Sequence, residues 1–163
     1  MDNDRSAVYA AECAAFDGTD LEDLREFDEL AVLLETLTAD AWWRGPRVTI
    51  RRARRDARSS STRCDADPRH DPAMISVAAQ QLTVATVAHE LAHALAGVRH
   101  GHDSSFRAAY LDVISVVTNI DSRDRRRDLH VAQLASAFDA AGLAVGPRHW
   151  PSPPVSFAGP IAL

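Results

Sequence analysis

The chain has no lysine; all 18 of its basic residues are arginine. Against 23 acids this leaves a net charge of -5. That argues against a surface built as a whole for nucleic acid, though a local basic patch remains open. Cysteine is nearly absent. Cys13 and Cys64, far apart, make neither a disulfide framework nor a C-x-x-C metal knuckle. Cys13, on a partly apolar helix, reads as a small buried hydrophobe. The first residues, Asp2, Asn3 and Asp4, are acidic and polar, with no apolar signal region. No apolar run is long and uncharged enough for a membrane span, so no membrane contact and a cytoplasmic location are expected. Methionine occurs only at Met1 and Met74, and no glutamate follows Glu90.

What is present centres on Leu82 to Val98, an apolar run that contains His89-Glu90-Leu91-Ala92-His93. On a helix, residues four apart share a face, so His89 and His93 can aim two imidazoles at one metal ion. Glu90 stands next to them as the candidate general base of a zinc hydrolase. Val84, Val87, Ala88, Leu91, Leu95 and Val98 form a core-facing stripe at helical spacing. Two histidines and a glutamate beside such a stripe are costly unless something pairs them.

The length of 163 residues favours one domain, expected over 1–145, with a proline-rich, unpacked tail over 146–163. Helices are predicted at Ser6 to Phe16, from a cap at Asp20 to about Trp42-Trp43, after a cap at Ser104, and at about Asp124 to Ala141. Of the adjacent tryptophans, one is expected in the core and its neighbour partly exposed. Strands are predicted at Arg47 to Arg51 and Ala73 to Ala78, with a flexible loop over Asp56 to Pro72. The class is α+β: a helical bundle with a small antiparallel sheet in a single domain.

A catalytic zinc usually takes three protein ligands. His100, with Gly97, gives a spacing one residue longer than the metzincin pattern, and no methionine lies downstream for a metzincin turn. The lack of any later glutamate excludes a glutamate ligand from a following helix. Asp103, Asp112, His100 and His102 stay open. His70, His130 and His149 read as solvated or structural residues, and Tyr110 as a packing residue.

His102-Asp103-Ser104-Ser105-Phe106 resembles the His-Gly-x-x-Phe segment that follows H-E-x-x-H in SprT-like zinc metallopeptidases. More closely, the chain resembles a family of small metallohydrolases of actinobacteria and their phages. The matching features are Val8-Tyr9-Ala10-Ala11-Glu12, Ala41-Trp42-Trp43, Ile75-Ser76, the HELAH stretch and the later His and Phe, over roughly Ser6 to Gly142. The resemblance implies a zincin-like fold, Zn2+ held by His89, His93 and His102, Glu90 as base, and a peptide or protein substrate. It also implies a substrate-binding edge strand at Met74 to Ala78, with the long loop as a lid. Asp103 stands where the family has glycine; Phe106, four residues on, sets the register at His102 rather than His100.

Two alternatives accompany the peptidase expectation. One is a protein acting on nucleic-acid-bound proteins, through Arg51, Arg52, Arg54, Arg55, Arg58 and Arg63 or through Arg123 to Arg127. The other is a metal-binding domain without turnover, which would have no use for Glu90. For the arginines, a solvated face paired with acids such as Asp56, Asp121, Asp124 and Asp128 is the expected reading.

Overall fold

The computed structural model describes residues 2–64, 72–118 and 126–154. Among these residues five α-helices and three strands follow one another: α1 (Arg5–Phe16), α2 (Phe27–Ala39), β1 (Val48–Arg52), β2 (Ser61–Arg63), β3 (Ala73–Val77), α3 (Val84–Ala96), α4 (Ser104–Val117) and α5 (Arg126–Ala140). The architecture is α+β, as expected. His70, Asp121, Asp124 and the Arg123 and Arg125 part of the second basic stretch lie outside the described residues, as do residues 65–71 of the segment expected as a lid. No helix among the described residues is long and apolar enough to cross a membrane.

The sheet corrects one expectation. Its order is β1-β3-β2, with β1 parallel to β3 and β2 antiparallel to it, so the sheet is mixed rather than antiparallel. The cause is β2, which falls inside the segment expected to be loop. Its three residues, Ser-Thr-Arg, have no apolar alternation to reveal a strand. With β2 in place, β3 is the central strand, buried at Ala73, Ile75 and Val77, and not an edge.

α3 is the helix on which the domain is built. The Thr83 side chain accepts from the Thr86 N–H and starts it, and Gly97, at φ 96°, ends it. Val87, Ala88 and Leu91 of the expected stripe are wholly buried, and so are Ala85 and Ala92. The small residues beyond the stripe let α4 and the sheet both approach closely. α2 is shorter than expected at both ends. Asp20 opens only a single 3-10 turn, and the helix begins after Glu26, whose N–H donates to Glu29. Trp42 and Trp43 follow it and are both buried; each indole N–H donates to a backbone carbonyl, of Pro151 and Pro46 respectively. Cys13 is exposed rather than buried.

The cap of α4 is Asp103, not Ser104. Its carboxylate accepts from the N–H groups of Ser105 (2.8 Å) and Phe106 (3.1 Å). Asp103 is thereby accounted for as a helix cap and Asp112 as a buried acid that anchors the C-terminal segment. Arg148 reaches Asp112 with two bonds of 2.5 and 2.7 Å, and the Trp150 indole adds a third at 2.8 Å. The segment expected to be an unpacked tail is therefore anchored to the domain at Gly146, Arg148, Trp150 and Pro151. Gly146 lies so close to Ser104 that a Cβ would meet its Oγ at 2.9 Å, and its N–H donates to the Ser104 carbonyl. Proline-rich composition excludes helix and strand; it does not exclude side-chain anchors.

Candidate metal centre

Three imidazoles converge where α3 faces the start of α4. One ligand nitrogen from each of His89, His93 and His102 can be chosen so that all lie within 4.8 Å of one another. His89 and His102 are buried and His93 is half-buried. The i, i+4 spacing on α3 supplies the first two. His102 comes from the turn after Gly101, one residue before the Asp103 cap. Phe106 backs the group, with its ring centroid 4.4, 4.9 and 5.0 Å from those of His93, His102 and His89. The register drawn from Phe106 is thus physical: the same ring touches all three histidines. His100, in contrast, is exposed and bonds Asp103 through Nδ1 at 2.9 Å.

Carboxylates hold two of the rings from behind. Glu12 Oε2 lies 3.1 Å from His89 Nδ1, and Asp2 Oδ2 lies 2.5 Å from His102 Nδ1. Glu12 is in turn fixed by the hydroxyl of fully buried Tyr110, at 2.5 Å from its other oxygen. Asp2 also accepts from the His102 backbone N–H. Arg107 closes the clamp by bonding Asp4 and the His102 carbonyl. These contacts commit each Nδ1 proton to a carboxylate and turn Nε2 inward, the arrangement that orients histidine ligands around metals. Tyr110 is therefore a polar brace as well as a packing residue.

The two inward Nε2 atoms, of His89 and His102, are 3.2 Å apart. With both Nδ1 atoms protonated, two lone pairs face each other across that gap. A cation shared by them removes the conflict, so the donor set fits a metal that favours nitrogen ligands, zinc among them.

The electrostatics differ among the three rings. Burial, together with the charges of His89 and His102, pushes His93 down to about 3, so it keeps a free lone pair at neutral pH. Burial also lowers His102, outweighing the opposing bond to Asp2. For His89 burial is overcome by the bond and charge of Glu12, and its pKa rises. Burial raises Glu90, partly offset by the Thr62 hydroxyl, which sits 2.6 Å from Oε2. A raised carboxylate is suited to taking and giving back a proton.

His89 and Glu90 lie in the wall of a cavity of about 320 Å³. Its other walls come from α1, the 3-10 turn that follows it, the segment before β2, and the turn before α3 with the first turn of that helix; they include Glu22, Ser60, Gln81 and Thr86. Tyr9, also in the wall, stacks on the His89 ring with centroids 5.3 Å apart and planes 8° from parallel. Exposed Cys13 opens on the same space.

Asp2, Glu12 and Thr62 had no assigned role in the sequence reading. Glu12 left a faint signal, an acid on the buried Val8, Ala11, Ala15, Phe16 face of α1. Asp2 and Thr62 left none. No family model, curated protein or solved structure matches this chain.

Proposed function

We propose that this chain is a zinc-dependent metallohydrolase, and specifically a peptidase with a zincin-like fold. The observation that supports this most strongly is three imidazoles, two of them carboxylate-held, gathered beside a buried glutamate. Bound zinc would lower the pKa of water towards about 7 and polarise a carbonyl. Glu90, steadied by Thr62, takes the proton from the attacking water and passes it to the leaving amine. An extended peptide would pair with the outer edge of β2, since Thr62 of that strand touches Glu90 and β3 is covered on both sides. A site without turnover would have no need of a buried carboxylate at this position.

The test is metal removal. The purified protein should carry about one zinc per chain, as expected of a mononuclear site. A chelator should abolish its cleavage of an unfolded protein such as casein, and added zinc should restore it. A folded preparation that refuses zinc would end the proposal.

One observation favours a second reading, contact with nucleic acid. Residues 44–63 hold eight arginines and one acid, a local charge of +7 within a total of -5, leaving -12 elsewhere. Arg54, Arg55, Arg58 and Arg63 are exposed, and among the described residues no ion pair reaches them. Of the acids expected to pair with the arginines, Asp121, Asp124 and the Asp128 side chain lie outside the described residues. If the patch binds phosphates, duplex DNA affinity should fall steeply as salt is raised; a flat salt response would set this reading aside.

A further inference from the structure

A second cavity, of about 230 Å³, lies at the C-terminal end of α3, and the hydrolase reading makes no use of it. Four separated parts of the chain build it. Arg44 comes from the turn after α2, Leu95 from α3, His100 and Ser105 from either side of the α4 cap, and His149 and Trp150 from the C-terminal segment. Leu95 is buried and gives an apolar wall. Trp150 packs against the core, and its indole N–H is held by Asp112, so its ring is a fixed wall.

No carboxylate lines the space: Arg44 offers only donors, and His100, Ser105 and His149 can each donate as well as accept. The acids near these residues in sequence are engaged elsewhere: Asp40 accepts from the Trp42 N–H, Asp103 holds the α4 N–H groups and His100, and Asp112 holds Arg148 and Trp150. Arg44 has no hydrogen bond or ion pair among the described residues. Arg44, an exposed permanent cation, therefore sits at the rim of a cavity that no acid lines, beside the fixed Trp150 ring and the apolar Leu95 wall.

We infer that this cavity binds a compact organic anion, a carboxylate or phosphate ester whose flat apolar body lies between Trp150 and Leu95. Arg44 holds the anionic group, since a guanidinium forks onto carboxylate or phosphate oxygens. The size limits the ligand to about one ring, because pockets for drug-sized ligands run from roughly 300 Å³ upward. The site is independent of the metal centre.

Benzoate, phenyl phosphate and benzylammonium are the probes, titrated by ligand-observed NMR into the full chain with zinc. The two anions should bind saturably at millimolar concentration, and the cation of the same shape should not. Arg44→Gln should weaken benzoate binding by about tenfold or more, as loss of a charge-assisted bond implies. Equal binding of benzylammonium, unchanged benzoate affinity in Arg44→Gln, or no saturable anion binding would overturn the inference. So would benzoate binding that disappears with the zinc while surviving Arg44→Gln, which would place it at the metal.

Discussion

His102→Ala is expected to lower zinc affinity by about 1,000-fold, and His100→Ala to leave it nearly unchanged. Zinc sites with a full ligand set are worth roughly 10–16 kcal/mol, so one ligand carries about 3–5 kcal/mol. His102 is buried, its Nε2 faces that of His89, and Asp2 and Arg107 hold the turn that carries it. His100 is exposed and turned to Asp103. Competition with a chromogenic chelator measures both affinities, and thermal unfolding of the metal-free proteins shows whether either variant has lost its fold. If His100→Ala loses the metal and His102→Ala keeps it, the assignment of the third ligand is wrong.

Glu90→Gln should retain the zinc and lose turnover by roughly 100- to 10,000-fold, the usual worth of a positioned general base. The amide has almost the shape of the acid, and its oxygen can still accept from the Thr62 hydroxyl. What it cannot do is take a proton from water. Elemental analysis and peptide cleavage measured on one preparation separate the two properties. Undiminished cleavage would mean that another group is the base; lost zinc would mean that Glu90 supports the ligands rather than the chemistry.

The residues that meet in this site differ in how plainly they can be read. His89, Glu90 and His93 share one helix, and helical periodicity alone places them. His102 is nine residues away, across a turn, and needed a resemblance and Phe106 to select it. Asp2 and Glu12 had no such help. The chain has 23 acids, and nothing local distinguishes the two that reach a histidine. Their partners lie 100 and 77 residues further along, where short-range pattern has no reach. The same holds in the fold. The helices that bury an apolar stripe were legible, whereas β2 was hidden by its Ser-Thr-Arg composition. The packing of the C-terminal segment is not legible because its anchors, Arg148 and Trp150, are single side chains rather than a periodic pattern.

The clamp around the histidines also bears on the order in which the protein assembles. Asp2 meets His102 across 100 residues, Asp4 meets Arg107 across 103, and Glu12 meets Tyr110 across 98. Each contact closes a loop that spans most of the domain, and chains pay that entropy before the contact rewards them. The pair on α3, by contrast, forms as soon as its helix does. A metal ion arriving during folding would therefore meet two histidines first, loosely, and be gripped only when α1 docks beside α4. Late docking of α1 would make capture of the ion the closing step of folding rather than its seed.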